Sequence, residues 1–238
     1  MEAIVLAGGL GTRLKDLVND VPKSMAPLNG KPFLEYLLNY LSGQGIEKVV
    51  LSVGYLNDTI HAHFKDHYRN LLITYAIEDE PLGTGGGMLN ALTQVEGSTA
   101  VVLNGDSMFR IDLRAMQNLH ETNKAEMTLA LRHLEDTGRY GSVQIDQAKQ
   151  IIGFKEKQAE GYPGYINGGI YMINKEFFIE NNFPGKFSIE KDCFEKFYSR
   201  SRSLKFIVFL PILFFSAYSD IKAIASVFFF PSNSPEFT

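Results

Sequence analysis

A short apolar run leads directly into a glycine-rich loop in the stretch Ile4-Val5-Leu6-Ala7-Gly8-Gly9-Leu10-Gly11-Thr12-Arg13-Leu14. The β-branched residues in the run predict a buried strand. Glycine lets the backbone approach a ligand closely and adopt positive φ, so this loop can direct several N–H groups at one anion. Arg13 adds a permanently charged, forked donor where the loop ends. The stretch therefore predicts a triphosphate-binding loop after the first strand.

Two other types of glycine-rich phosphate loop do not fit these residues. A dinucleotide-binding G-x-G-x-x-G loop needs a third glycine where Leu14 stands, and a P-loop ends in Gly-Lys-Ser or Gly-Lys-Thr. The segment Gly11-Thr12-Arg13 has neither form. A glycine pair alone leaves open a tight turn after an ordinary strand. Arg13 and the nearby Pro22-Lys23 favour the phosphate site.

The composition predicts one α/β domain over residues 1–238, long enough to bury a sizeable core. The net charge of −4 disfavours a general nucleic-acid-binding surface. The single cysteine, Cys193, rules out an internal disulfide and suits a reducing compartment. The first apolar run is too short for a signal peptide, and residues 206–215 are too few to span a bilayer. We therefore expect a cytoplasmic protein without nucleic-acid or membrane partners, and a homo-oligomer is possible.

Strand and helix patterns alternate along the first half of the chain. Apolar residues recur at helical spacing over residues 32–45, and residues 49–53 and 71–77 are apolar runs typical of covered parallel strands. A helix capped by Asn57 or Asp58 would lie between those strands. The alternation predicts a Rossmann-like, doubly wound, mostly parallel sheet, in which ligands bind at the carboxyl ends of strands. The first glycine-rich loop follows such a strand end.

A second glycine-rich loop, Glu78-Asp79-Glu80-Pro81-Leu82-Gly83-Thr84-Gly85-Gly86-Gly87, precedes a predicted helix at residues 88–95. Taken alone, it fits equally well an ordinary helix start with Thr84 as the N-cap. Residues 100–103 form another apolar run, which ends in Asn104-Gly105-Asp106. A carboxylate there can hold Mg²⁺ beside a polyphosphate, although aspartate is also common in ordinary turns. Asp112 instead fits the N-cap of a helix at residues 113–122.

These motifs resemble the sugar-1-phosphate nucleotidyltransferases. That family's patterns L-A-G-G-x-G-T-R-L and P-K-x-[ML] match residues 6–14 and 22–25. The resemblance implies catalytic roles for Arg13, Lys23 and Asp106, with Asp106 also a Mg²⁺ ligand. It further implies nucleotide binding by both glycine-rich loops, Lys23 and the strand end before Asp106. The residues so implied are Leu6, Ala7, Gly8, Gly9, Gly11, Thr12, Arg13, Lys23, Glu80, Pro81, Gly83, Thr84, Asn104 and Gly105.

Residues 126–200 resemble the half of that family which binds the sugar phosphate, with a hairpin at residues 142–154 as a small β insertion. Arg139-Tyr140-Gly141 resembles its start, although Tyr140 fits a core aromatic equally well. Phe154-Lys155-Glu156-Lys157 resembles F-x-E-K, whose glutamate binds sugar hydroxyls and whose lysine binds the 1-phosphate; alone it fits a solvated charge run. Asn167-Gly168 resembles a strand start that contacts the sugar, and residues 187–192 resemble F-S-[LF]-E-x-D. Ser188 also fits a helix N-cap.

Residues 201–238 depart from the family pattern, which continues as F-x-D-I-G-x-P-x-x-[YF] with the aspartate as a second metal ligand. Ser219-Asp220-Ile221-Lys222 keeps only the Asp-Ile pair of that pattern. The resemblance implies Asp220 as a second Mg²⁺ ligand. Two origins of this segment stay open: a disrupted reading frame, or divergence that presents Asp220 from a different turn.

The resemblance implies an enzyme that joins a nucleoside monophosphate unit to a sugar 1-phosphate and releases pyrophosphate. The second loop, residues 135–141 and residues 187–192 resemble the guanylyl-transferring subgroup that acts on D-glycero-D-manno-heptose 1-phosphate, which implies GTP and that sugar phosphate as substrates. Mannose 1-phosphate with GTP is the first alternative, and a uridylyl or thymidylyl transfer is the next. A catalytically silent homologue that binds nucleotide or sugar is an alternative of another class.

Overall fold

The computed structural model describes residues 1–9, 21–138, 140, 142–147, 151–155, 161–194 and 206–211. Its strands are β1 (Glu2–Leu6), β2 (Pro27–Leu28), β3 (Lys31–Pro32), β4 (Lys48–Val53), β5 (His67–Tyr68), β6 (Leu71–Ile77), β7 (Thr99–Asn104), β8 (Met127–Leu134), β9 (Ser142–Ile145), β10 (Ile151–Lys155), β11 (Gly164–Asn174) and β12 (Phe206–Phe209). Its α-helices are α1 (Phe33–Gly43), α2 (Asn57–Phe64), α3 (Gly83–Leu92), α4 (Leu113–Asn123) and α5 (Lys175–Glu180). A 3₁₀ turn covers Lys23–Met25, and a π-helical segment covers Ile189–Phe194.

In the described part of the chain, ten strands form one sheet in the order β10-β9-β11-β7-β1-β4-β6-β5, with β8 paired to β11 and β12 to β8. The four strands β6, β4, β1 and β7 are parallel neighbours. Along the chain, β1, β4 and β6 follow one another in one direction across the sheet, whereas β7 returns to the opposite side of β1. Doubly wound sheets bind ligands at such a reversal of strand order. The predicted Rossmann-like α/β sheet is confirmed for this half.

Alternate residues of β1 enter two separate hydrophobic cores. Val5 packs in the core that contains residues of α1, α2 and α4, and Ile4 packs in the core that contains residues of α3 and α5. Because successive side chains of a strand point to opposite faces, helices cover the sheet on both sides. Both side chains are fully buried, and each such burial contributes about 1.5–3 kcal/mol.

The other half of the sheet is mostly antiparallel and is organised by β11, which pairs with β7, β8 and β9. The hairpin predicted at residues 142–154 is confirmed as β9 and β10. A register shift in the pairing of β11 with β8 lies between Asn167 and Tyr171, so the strand bulges at this point. β12, which the sequence did not predict, lies parallel to β8.

Two of the predicted helix caps are wrong. Neither Asn57 nor Asp58 caps α2, because the helix starts at Asn57 after a left-handed Leu56. α3 starts at Gly83 rather than at residue 88, so Thr84 lies inside the helix and is not its N-cap. Asp112 does cap α4, since its Oδ1 accepts a hydrogen bond of 2.9 Å from the amide of Ala115.

The early start of α3 follows from tertiary packing. Glycine is a poor helix former, yet the glycines at residues 85–87 are helical and buried. A Cβ on Gly85 would overlap the ring of Phe187, and one on Gly86 would overlap the carbonyl oxygen of Gly185. The helix can approach this segment closely only because it lacks side chains there. Within the described ranges, no helix has the length and apolar character needed to cross a membrane.

Candidate active site

The carboxyl ends of β1 and β7 converge where the strand order reverses. The amide of Gly105 donates a hydrogen bond of 2.9 Å to the carbonyl of Leu6, and the amide of Ala7 donates one of 2.8 Å to the carbonyl of Ser52. A Cβ on Gly105 would lie 2.7 Å from the oxygen of Leu6, so this approach requires glycine. The described part of the first loop, Ala7 to Gly9, therefore starts beside the N-G-D motif.

Lys23 and Asp106 meet at this strand end. Nζ of Lys23, on the 3₁₀ turn, lies 2.5 Å from Oδ2 of Asp106. The two side chains are 30% and 42% exposed, so the pair faces solvent. Exposed ion pairs contribute only about 0–1 kcal/mol, so both groups can exchange partners at little cost. The structure thus brings together the predicted phosphate-binding cation and the predicted metal ligand.

Glu78, at the end of β6, connects the two glycine-rich loops. Its Oε1 accepts a hydrogen bond of 2.6 Å from the hydroxyl of Ser52, and its Oε2 accepts one of 3.1 Å from the amide of Leu82. Cβ atoms on Gly8 and Gly87 would lie 3.1 and 2.6 Å from the same Oε1. Both glycines therefore leave room for this carboxylate. Glu78 was not among the site residues predicted from the sequence, although its position directly after a strand, at the start of the second glycine-rich loop, was a usable signal.

A cavity of about 300 Å³ opens between the first loop, the end of β4 and the second loop. Its size lies at the lower end of the range for small-molecule pockets. Predicted residues Gly8, Glu80 and Pro81 line it, but Gly83 and Thr84 do not. Gly54 and Tyr55, which were not predicted from the sequence, also line it, and Tyr55 is 69% exposed. The remaining lining residues are Glu78 and Asp79.

Thr84 contacts the segment that resembles F-S-[LF]-E-x-D. Its hydroxyl donates a hydrogen bond of 2.8 Å to Oε2 of Glu190 and accepts one of 3.0 Å from the amide of Ile189. The hydroxyl of Ser188 also donates to Oε2 of Glu190, at 2.8 Å, and accepts one from the amide of Lys191 at 3.2 Å. Ser188 therefore caps the π-helical segment, as predicted for a helix start.

Asn167 and Asn104 approach the phenol of Tyr171 from two different strands. Nδ2 of Asn167 donates to the phenol oxygen at 2.7 Å, and the side chain of Asn104 lies near enough to oppose, in small part, the rise in the pKa of this phenol. The phenol hydroxyl donates to Oε1 of Glu190 at 3.2 Å. Complete burial, followed by the charge of Glu190, raises the pKa of Tyr171 well above its usual 10. The phenol therefore keeps its proton.

The bulge of β11 fixes the orientation of Asn167. Gly169 has a φ of +73°, which few other residues adopt, and its amide donates a hydrogen bond of 2.9 Å to Oδ1 of Asn167. A Cβ on Gly168 would overlap the ring of Phe109. Both glycines are thus required by the local packing, whatever ligand Asn167 contacts.

Several predicted residues lie outside the described part of the chain: Gly11, Thr12, Arg13, Gly141, Glu156, Lys157 and Asp220. Tyr140 is described and partly buried, and its amide donates a hydrogen bond of 2.8 Å to the carbonyl of Thr137. Over the described ranges, no three His, Cys, Asp or Glu side chains gather into a group that could hold a metal ion. Of the two predicted metal ligands, Asp106 is therefore the one that the structure places.

Comparison with known proteins identifies the class. Residues 2–203 match the sequence model of the family described as nucleotidyl transferase, so the chain belongs to that family. It is 44% identical over 209 residues to the D-glycero-alpha-D-manno-heptose 1-phosphate guanylyltransferase of Aneurinibacillus thermoaerophilus, which covers 87% of this chain and 89% of that protein. It is 46% identical over 191 residues to the protein of the same name from Campylobacter jejuni, with coverages of 80% and 84%.

A solved structure agrees with these relatives. The crystal structure of HddC from Yersinia pseudotuberculosis complexed with GMP-PN superimposes with a TM-score of 0.73 at 35% identity, covering 88% of this chain and 89% of HddC. The predicted family, enzyme class and fold are therefore confirmed. The match to the family ends at residue 203, so the departure noted for residues 201–238 lies almost entirely beyond it.

Proposed function

We propose that this protein transfers GMP from GTP to D-glycero-D-manno-heptose 1-phosphate, giving the GDP-sugar and pyrophosphate. One observation carries the proposal: the nucleotide-loop cavity, the Lys23–Asp106 pair and the strand that bears Asn167 all adjoin the point where the sheet order reverses. A nucleotide bound there would place its phosphates beside Lys23. The two relatives named for this reaction, similar over at least 80% of the chain, support the choice of substrates.

The reaction needs positioning and charge neutralisation. An oxygen of the sugar phosphate would attack the α-phosphorus of GTP in line, forming one P–O bond while the bond to the bridging oxygen breaks and pyrophosphate leaves. Lys23, partly exposed at the strand end, would bind the departing phosphates together with the amides of Gly8 and Gly9. Arg13, by the family resemblance, would contribute a second cation. Glu156 and Lys157 would bind the sugar hydroxyls and the 1-phosphate.

Asp106 fits a Mg²⁺ ion bound together with substrate. Mg²⁺ prefers oxygen donors and is usually held through one or two carboxylates plus substrate phosphates, keeping several waters. Asp106 is such a donor, is 42% exposed, and is held by an ion pair that exchanges at little cost. When bound, the ion would neutralise charge on the α-phosphate. Asp220 is proposed as the second ligand on the family resemblance alone.

The acidic lining of the cavity favours guanine as the base. Guanine presents its N1–H and its exocyclic amino group side by side, and a carboxylate can accept both hydrogen bonds. Uracil and thymine instead present one N–H between two carbonyls, which a carboxylate would repel. Because Glu78 already binds Ser52 and the amide of Leu82, Asp79 and Glu80 are the carboxylates available for the base.

Pyrophosphate release tests this proposal directly. The full-length protein would be supplied with Mg²⁺ and with each of GTP, UTP, dTTP, CTP and ATP, against heptose, mannose and glucose 1-phosphates. We expect release with GTP and the heptose phosphate. If the enzyme preferred mannose 1-phosphate, the proposed sugar substrate would be wrong. If it preferred UTP or dTTP, the proposed nucleotide would be wrong. Protein that is folded by circular dichroism yet releases no pyrophosphate with any pair would instead be a silent homologue.

A further inference from the structure

A continuous line of hydrogen bonds crosses the site through Glu190. The hydroxyl of Thr84, on the nucleotide side, donates to Oε2 of Glu190 at 2.8 Å. The phenol of Tyr171 donates to Oε1 of the same carboxylate at 3.2 Å, and it accepts from Nδ2 of Asn167 at 2.7 Å. Thr84 and Asn167 belong to the two motifs proposed to serve the nucleotide and the sugar. One carboxylate therefore joins these two motifs.

The direction of every bond in this line is fixed. An ionised carboxylate can only accept, so Thr84, Ser188 and Tyr171 must all point their hydroxyl protons at Glu190. The phenol of Tyr171 is completely buried and stays protonated, which leaves its oxygen lone pairs for the amide of Asn167. A neutral amide in place of the carboxylate would carry one acceptor oxygen and one NH2 donor, so it could not accept hydrogen bonds from hydroxyls at both of its ends.

Backbone bonds connect the same two segments beside Glu190. The amide of Gly85 donates to the carbonyl of Phe187 at 3.0 Å, and the amide of Phe187 donates to the carbonyl of Leu82 at 3.0 Å. Gly83 and Gly85 leave no room for a side chain against Phe187. The second nucleotide loop and the segment that carries Glu190 are therefore packed directly against each other.

We propose that Glu190 is a positioning residue that couples the two substrate sites, so that a bound nucleotide raises the affinity for the sugar phosphate and the reverse. The inference rests on the proposed function, because its two ligands are the nucleotide and the sugar phosphate of the proposed reaction. Thr84 does not line the cavity but lies in the helix that begins within the second loop, so movement of the loop on binding the base would reach Glu190 through Thr84 and the amide of Asn167 through Tyr171. Coupling of this kind is reciprocal by thermodynamic necessity, so each ligand must raise the affinity for the other by the same factor.

Calorimetric titration measures this factor without turnover. The Kd of heptose 1-phosphate would be measured with and without saturating guanosine 5′-(α,β-methylene)triphosphate and Mg²⁺, and the Kd of the analogue with and without the sugar phosphate. We expect the two ratios to agree in the wild-type protein and to be about fivefold or more. In Glu190→Gln both ratios should fall to near one.

A matched pair of variants at Thr84 tests the coupling even if Glu190→Gln fails to fold. Thr84→Val removes the donor at nearly constant shape and should abolish the coupling, whereas Thr84→Ser keeps a hydroxyl and should restore it. A merely structural role would lower the melting temperature in Thr84→Val without changing the ratio of affinities.

The outcomes separate this inference from the proposed function. Wild-type protein that binds both ligands with no coupling, or variants that keep the wild-type ratio, would overturn the role of Glu190 alone. Wild-type protein that binds neither ligand would overturn the proposed function and this inference with it.

Discussion

Nζ of Lys23 lies 2.5 Å from Oδ2 of Asp106, at the point where the order of the parallel strands reverses. The two residues are 83 positions apart in the chain. In the proposed reaction they act on different partners, since Lys23 binds the departing phosphates and Asp106 binds the metal ion. The ion pair holds both side chains at the strand end, and because it is partly exposed, substrate can replace it.

Replacing Asp106 with asparagine should lower turnover. Asparagine keeps the shape but loses the charge that binds a cation, and loss of one transition-state charge contact costs about a hundredfold to a thousandfold in kcat. Pyrophosphate release with both substrates saturating measures the effect. Asp112→Asn is the matched control, because asparagine caps a helix as well as aspartate and Asp112 caps α4 and is not among the predicted site residues. An unchanged kcat in Asp106→Asn would contradict the role of Asp106.

Loss of a carboxylate from the cavity should weaken the preference for GTP. If Glu80 accepts from the N1–H and amino group of guanine, Glu80→Gln should reduce kcat/KM for GTP by about tenfold to a hundredfold, the cost of one bidentate base contact. The value of kcat/KM for UTP should rise, because the carboxylate that would repel the uracil carbonyls is removed. Asp79→Asn, measured in the same way, shows which of the two carboxylates contacts the base. Equal losses for GTP and UTP in both variants would exclude base recognition by either side chain.

Alanine at two helical glycines should have opposite effects on stability. Gly85→Ala would drive a methyl group into the ring of Phe187 and should lower the free energy of unfolding by about 1–3 kcal/mol. A Cβ on Gly43, the last residue of α1, would meet no atom within 4 Å. Gly43→Ala should therefore raise the free energy of unfolding by about 0.5–1 kcal/mol. Urea unfolding of both variants measures the difference. A stabilised Gly85→Ala variant would show that the ring of Phe187 can move aside.

The parts of the fold that depend on local pattern could be predicted from the sequence. Apolar runs predicted the strands, and the rule that ligands bind at strand ends predicted that the N-G-D motif would lie near the first loop, where the amide of Gly105 donates to the carbonyl of Leu6. The contact of Thr84 with Glu190 joins residues 106 positions apart, and local propensity carries no information about it. The helical glycines around Gly85 follow from packing against Phe187, which overrides their poor helix propensity. The left-handed Leu56 before α2 had no sequence signal at all.

Buried His120 should make the protein lose stability as the pH falls. Its side chain is 2% exposed, and its Nδ1 lies 2.8 Å from the hydroxyl of Thr128. Burial lowers the pKa of His120 to about 4, against a small opposing effect of Glu121. Between about pH 6.5 and 4 the unfolded chain therefore binds a proton at this residue that the folded protein does not.

As the pH falls over this range, protonation of His120 in the unfolded chain should lower the free energy of unfolding by up to about 1.4 kcal/mol per pH unit. Urea unfolding at intervals from pH 4.5 to 7.5 gives the slope for the wild type and for His120→Gln, which cannot take up the proton. We expect a shallower slope in the variant, while His67→Gln, at an exposed strand residue, is the control for loss of a histidine. Parallel slopes in the wild type and His120→Gln would show that the folded protein takes up the proton at His120 as readily as the unfolded chain.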